Sequence, residues 1–238
     1  MKAVILAGGL GKRLRPFTQI IPKPLLPVGE SSVLEIQVLS LRKYGFDEIY
    51  IATNYLADYV EALLGDGQRM GVRLHFSKED KPLGTCGPVL LLKDIITTPF
   101  ILMNGDILTT LRFDDLYEYG LNLDAELIVV TKEIVAPFSF GKVVVDGNYI
   151  AEVEEKPDLR LEILAGIYLM KPSVLDLIPP DTYYGIDSLI KQMLAAGLKV
   201  GRYLTTDYWL DIGEVHNYEE AQSAYNDHFK SLKSTPEE

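Results

Sequence analysis

Alternation is the feature that most constrains this chain. Four apolar runs, "KAVI" (2–5), "EIYIAT" (48–53), "VRLHFS" (72–77) and "PFILMNGD" (99–106), are separated by segments of helical spacing. In "SSVLEIQVLSLRKYG" (31–45), Ser32 and Glu35 stand at capping-box spacing, Leu34, Val38 and Leu41 share a face, and Gly45 ends the pattern. "ADYVEALLG" (57–65) and "VLLLKDI" (89–95) read as two further helices. Strands joined through helices return to the same end of a sheet before pairing. The pattern therefore predicts a mostly parallel sheet covered by helices.

The second half has another texture. "AELIVVT", "GKVVVD", "YIAEVEEKP" and "LAGIYLM" are strand-like runs without long helices between them. Short helices are expected at "PSVLDLI" and "DSLIKQMLAAG", late strands at "KVGRYL" and "YWLDI", and a closing helix at "VHNYEEAQSAYNDHF". "TQIIPKPLLPVGE" reads as an extended connection, and "KSLKSTPEE" as a frayed polar tail. The expectation is one α/β domain, residues 1–230, with a single Rossmann-like, mixed and mostly parallel central sheet flanked by helices. Residues of about 1–110 form a nucleotide half and about 111–230 a substrate half, with 231–238 as tail.

Composition removes several function classes. The 34 acidic and 23 basic residues give a net charge of −11, the wrong sign for a general nucleic-acid binder. A single cysteine, Cys86, cannot form an intramolecular disulfide and fits a reducing compartment. Nothing approaches the ~20 apolar residues of a membrane span. The expectation is a soluble, cytoplasmic protein with no nucleic-acid or membrane partner.

Against that acidic background, "LAGGLGKRLRPFT" (6–18) gathers three glycines with Lys12, Arg13 and Arg15 at the first turn. Glycines let backbone N–H groups approach an anion, and the basic side chains can neutralise it. The turn fits neither G-x-x-x-x-G-K-[ST] nor G-x-G-x-x-G. It remains a phosphate site of another kind. "NGD" (104–106) and "YWLDI" place Asp106 and Asp211 after strand-like runs, where open parallel sheets bind ligands. Two such carboxylates can hold Mg²⁺ together with phosphates, or either can simply turn the chain. Lys23 lies between Pro22 and Pro24 on a stiff backbone, and "EEKP" (154–157) repeats the device with Lys156 beside Glu155. Gly141 and Gly166 allow close backbone approach to a ligand, or mark strand bulges. His75 and His216 lack metal-ligand spacing, and Cys86 has no catalytic partner pattern beside it.

In order along the chain, "LAGGLGKRLRPFT", "PKPLLPV", "PLGT-G", "NGD", "FG", "EEKP", "AGIY" and "W-DIG" resemble the sugar-1-phosphate nucleotidyltransferases, or NDP-sugar pyrophosphorylases, from residue 2 to about 225. Lys12 stands where that family usually has Ser or Thr before the arginine. The resemblance implies that a nucleoside triphosphate is held by Leu6, Ala7, Gly8, Gly9, Gly11, Lys12, Arg13, Lys23, Pro82, Gly84, Thr85 and Gly105. It implies that Arg13 holds the departing pyrophosphate, that Lys23 contacts the phosphates, and that these two are the catalytic pair. Lys156 would hold the sugar phosphate, Gly141, Glu155 and Gly166 the sugar, and Asp106 with Asp211 the cofactor Mg²⁺. The implied partners are the triphosphate and a sugar 1-phosphate, with a homo-oligomer left open. Many relatives carry a C-terminal β-helix domain, and this chain is expected to be a bare catalytic domain.

Three rival readings are weighed. A glycosyltransferase of related fold usually shows D-x-D, where this chain has Asp106-Ile107-Leu108. A dinucleotide oxidoreductase wants an acidic residue where Asn54 stands. A non-catalytic NDP-sugar sensor would have lost the charged positions, all of which are present. For the base, the loop "PLGTCG" (82–87) offers mostly backbone groups and the Thr85 hydroxyl, with no amide placed to read a pyrimidine. That favours GTP over UTP or dTTP, and the loop's resemblance to guanylyltransferases acting on mannose-like or heptose phosphates implies a mannose- or heptose-type 1-phosphate rather than another hexose or amino-sugar 1-phosphate.

Overall fold

The computed structural model describes residues 1–9, 11–54 and 57–233. Its strands and helices follow in chain order: β1 (Lys2–Leu6), β2 (Pro27–Val28), β3 (Ser31–Ser32), α1 (Val33–Lys43), β4 (Glu48–Thr53), α2 (Ala57–Leu64) and β5 (Arg73–Lys78). Then come α3 (Gly87–Leu90), β6 (Phe100–Asn104), β7 (Ile107–Thr109), α4 (Phe113–Asn122) and β8 (Leu127–Pro137). The remainder is β9 (Lys142–Asp146), β10 (Tyr149–Glu154), β11 (Asp158–Met170), α5 (Ile186–Ala195), β12 (Val200–Thr205), β13 (Trp209–Asp211) and α6 (Val215–His228).

The central sheet has seven strands in the order β12-β8-β11-β6-β1-β4-β5. All its pairings are parallel except those of β11, which runs antiparallel to both β6 and β8. The predicted mixed, mostly parallel sheet is therefore present, with helices on its faces. Its strands β1, β4 and β6 are buried on both sides, which explains why they read as continuous apolar runs rather than alternating ones. One core cluster joins Ile5, Ile49, Phe46 and Phe113 to Ile128, Ile167 and Leu169, so both halves of the chain share it.

Helix α1 opens on the predicted capping box. The Glu35 N–H donates to Ser32 Oγ at 3.2 Å, and the Ser32 N–H donates to the Glu35 carboxylate at 2.7 Å. Elsewhere the local reading needs correction. The apolar run 89–95 is helical only as far as α3, a single turn, because "VLLLKDI" has no polar face to continue an amphipathic helix. Residues Pro172–Leu177 tighten into a 3₁₀ helix, and the connection 18–30, expected to be extended, is entered by a 3₁₀ turn at Phe17–Gln19 and carries another at Lys23–Leu25. The start of the expected polar tail is ordered. Lys230–Lys233 forms a 3₁₀ turn with Leu232 packed on the core, and residues 234–238 lie outside the described residues.

Two features lie outside the sheet. β7 and β13 pair antiparallel as a three-residue ribbon, with Asp211 opposite Ile107. Beyond the sheet's edge, β8 and β11 continue as a projecting pair towards the β9–β10 hairpin, whose residues are all exposed. Among the described residues, no helix is long and apolar enough to cross a membrane.

Candidate active site

The chain builds β1, β4 and β5 outward on one side, then crosses to β6 on the other side of β1. That reversal opens a crevice beyond the carboxyl ends of β1, β4 and β6. A cleft of about 400 Å³ lies there, within the range that encloses most of a small ligand. Its walls bring together Leu6, Gly8, Gly9, Lys23, Pro82, Gly84, Thr85, Gly105 and Asp106, nine positions singled out from sequence. At its floor the Gly105 N–H donates to the Leu6 carbonyl at 2.9 Å. A Cβ at 105 would stand 2.6 Å from that oxygen, so only glycine allows the two strand ends to meet. Gly9 has nothing within 4 Å of a notional Cβ and leaves bare backbone facing the cleft.

At one end sits a cluster of charge. The Lys23 ammonium is ion-paired to the Asp106 carboxylate and lies 4.0 Å from Asp211 Oδ1. Lys23 is only 8% exposed, on its turn between two prolines. The carboxylates are joined through the ribbon, where the Ile212 N–H donates to the Asp106 carbonyl at 2.9 Å. Burial, and then the neighbouring Asp106, push the Asp211 carboxyl up from its ordinary value, against the pull of Lys23 and Arg13. Asp211 Oδ1 is buried and accepts no hydrogen bond among the described residues. Arg13 reaches the same corner, with Nη1 3.3 Å from Glu214 Oε1 and Nη2 packed on Gly213 beside Asp211.

These residues fit a metal. No group of three or more His, Cys, Asp or Glu side chains converges among the described residues. Two hard oxygen donors beside a cleft of about 400 Å³, one buried without a donor among the described residues, therefore suit a cation that completes its shell from phosphate oxygens and water. Mg²⁺ has that habit.

Several residues here gave no sequence signal. Gln37, 2% exposed on α1, donates through Nε2 to the carbonyls of Asn104 at 2.9 Å and Ile107 at 2.8 Å. It clamps the turn that carries Asp106. At the cleft's other end, Glu79 accepts from the Leu83 N–H at 2.9 Å, and its Oε1 would touch any Cβ on Gly8 at 2.8 Å. Burial pushes the Glu79 carboxyl up, offset in part by hydrogen bonds from Leu83 and Asn54. Asn54 and Tyr183 complete that end.

The loop 82–88 is itself fixed by Tyr184 and the first residue of α5. Thr85 Oγ1 accepts from the Ile186 N–H at 2.7 Å, leaving its own proton to give. Gly84, at φ +79°, packs where a Cβ would meet the Tyr184 carbonyl at 2.7 Å. Other predicted residues are less central. The Ala7 N–H is taken by the Ala52 carbonyl, and Lys12 is exposed on the first 3₁₀ turn. Gly11 takes a left-handed φ of +56° against Thr18 and Lys23.

The sugar-side residues divide. Gly166, at φ +70° in the register shift of β11, lies against Asn104 at the cleft edge. Gly141, Glu155 and Lys156 sit together on the projecting arm, with Glu155 Oε2 3.2 Å from a notional Gly141 Cβ. Among the described residues, no hydrogen bond or ion pair ties Glu155 or Lys156 to the carboxylate corner.

The sequence matches the nucleotidyl transferase family over residues 2–228. It is 32% identical over 227 residues to a probable mannose-1-phosphate guanylyltransferase of Oryza sativa subsp. japonica, covering 92% of this chain and 63% of that one. It is 33% identical over 241 residues to a UTP–glucose-1-phosphate uridylyltransferase of Synechocystis, covering 93% and 62%. The chain thus spans less than two thirds of the length of these curated relatives. Its structure resembles that of HddC from Yersinia pseudotuberculosis complexed with GMP-PN, with a TM-score of 0.74, 26% identity, and 94% and 99% of the two chains covered.

Proposed function

The chain belongs to the nucleotidyl transferase family, and from that premise we propose that it joins a nucleoside triphosphate to a sugar 1-phosphate, giving an NDP-sugar and pyrophosphate. The observation that carries this reading is the corner where Lys23, Asp106, Asp211 and Arg13 converge at the end of a nucleotide-sized cleft. The sugar-phosphate oxygen is ionised at neutral pH, so its attack on the α-phosphorus needs no general base. The protein's work is to align two anions and neutralise their charge. Mg²⁺ held by Asp106 and Asp211 would supply part of that neutralisation. Lys23 draws the phosphates towards the corner, and Arg13, exposed at the same corner, meets the charge that develops on the pyrophosphate. The sugar phosphate enters past Gly166, with Lys156 and Glu155 brought to it from the arm.

We assign GTP as the preferred triphosphate, with a mannose- or heptose-type sugar 1-phosphate. Glu79 supports guanine: a carboxylate accepts two parallel hydrogen bonds from the N1–H and N2–H groups, which a pyrimidine cannot supply as a pair. The named guanylyltransferase relative and the guanine-nucleotide complex of HddC point the same way. The uridylyltransferase relative keeps UTP as the second reading. We place the protein in the cytoplasm with these substrates. The test is pyrophosphate release from GTP, UTP, dTTP, CTP and ATP, each crossed with a panel of sugar 1-phosphates. GTP with a mannose- or heptose-type phosphate is expected to lead. A lead for UTP or dTTP overturns the base assignment, and no release with any pair overturns the reaction.

A further inference from the structure

We propose that Lys23 is the resident cation of the Asp106–Asp211 pair in the free protein, and that metal binds there only by displacing it. The inference rests on the proposed function in taking these carboxylates as metal ligands. Lys23 does more here than line a phosphate site. Its ammonium is ion-paired to Asp106 and lies 4.0 Å from the buried Oδ1 of Asp211, which accepts no hydrogen bond among the described residues. It stands in the space that a cation bridging these two oxygens needs. An ammonium and a divalent ion cannot share the pair, because like charges at that separation repel strongly in a partly dry corner.

The backbone gives Lys23 a fixed base and one way out. Pro22 and Pro24 stiffen the turn, the Leu25 and Leu26 N–H groups bond back to the Pro22 and Lys23 carbonyls, and Gly11 packs against the Lys23 stem. The Lys23 side chain already lines the cleft. A triphosphate in that cleft offers the ammonium a new anion as the metal takes its old ones. Metal and nucleotide binding are therefore coupled through one lysine. By reciprocity, nucleotide raises metal affinity by the same factor as metal raises nucleotide affinity, and without nucleotide the metal must displace Lys23 with no new anion to receive it. The device keeps the two partly exposed carboxylates compensated between turnovers.

Mn²⁺ titration followed by electron paramagnetic resonance, without nucleotide, tests this directly. Lys23→Met and Lys23→Gln are each expected to bind Mn²⁺ about tenfold more tightly than the wild type. Adding Asp106→Asn and Asp211→Asn to either is expected to abolish the gain. Equal Mn²⁺ affinity in wild type and both variants sinks the proposal. In case both variants misfold, acetylation of Lys23 followed by peptide mass spectrometry is read in the wild-type background. It should accelerate in Asp106→Asn, and an unchanged rate shows that the lysine is not held by the pair. Pyrophosphate release by the wild type is measured separately. If product forms while the metal data fail, this inference falls alone; if the metal data hold and no product forms, the reaction falls instead.

Discussion

At the scale of single residues, two side chains absent from any motif carry sharp expectations. Gln37 is the sole side chain bonded to the carbonyls on both sides of the Gly105–Asp106 turn among the described residues. Gln37→Leu leaves two carbonyls unsatisfied and is expected to cost about 2–4 kcal/mol in urea denaturation, with turnover falling further than stability explains. Full activity in a folded Gln37→Leu protein would show that the turn holds itself. Glu79 carries a pH signature. Its folded pKa is raised above the usual 4.5, so the native state binds the extra proton between that value and the raised one. Its contribution to stability therefore falls as pH rises through that window. Glu79→Gln is expected to flatten this part of the stability profile and to weaken the preference for GTP over UTP. An unchanged GTP-to-UTP ratio sinks the role assigned to this carboxylate. Arg13→Ala is expected to lower kcat more than it raises KM for the triphosphate, because its partner charge grows during the reaction. Neither Gln37 nor Glu79 was legible in the sequence. A lone Gln in an apolar helix and a Glu in a charged loop have no spacing that separates them from ordinary neighbours.

At the scale of elements, legibility tracked length and period. α1 was readable to its cap because Ser32, Glu35 and the apolar stripe agree. Ser32→Ala is expected to cost about 1 kcal/mol, checked by thermal unfolding, since both arms of the box are made. The β7–β13 ribbon is three residues per strand, too short for alternation, yet it is what seats Asp211 beside Asp106. The two acids could be named from sequence while the element that joins them could not. Gly166 shows the same limit. Its bulge was one of two open readings, and the left-handed φ with Asn104 Nδ2 2.8 Å from a notional Cβ settles what the backbone requires. Gly166→Val is expected to push Asn104 into the cleft and raise KM for the sugar phosphate, while Lys156→Ala on the arm raises the same KM without loss of stability. Steady-state kinetics beside a melting curve distinguishes the two.

At the scale of the whole molecule, the halves expected from the change of texture are stitched together. β11 joins β8 to β6, and the main core cluster draws on residues from Ala3 to Leu169. Unfolding is expected to be one transition. Trp209, the only tryptophan, reports on the seam because β13 pairs it with Thr109 of the first half. Its fluorescence and the far-ultraviolet circular dichroism should share one urea midpoint; two separated midpoints would mean that the halves melt independently. Asp106→Asn and Asp211→Asn should each lower turnover about a hundredfold or more, with the double variant little worse, as for residues acting as a unit. The seam has a further consequence, in the order of synthesis. A ribosome delivers the glycine turn, Lys23 and Asp106 early, but Asp211 only with the last strand described. A nascent or truncated chain can therefore expose the first carboxylate without its mate. If the proposed reaction holds, such an unfinished product is expected to release no pyrophosphate, which an assay of a chain truncated before β13 checks.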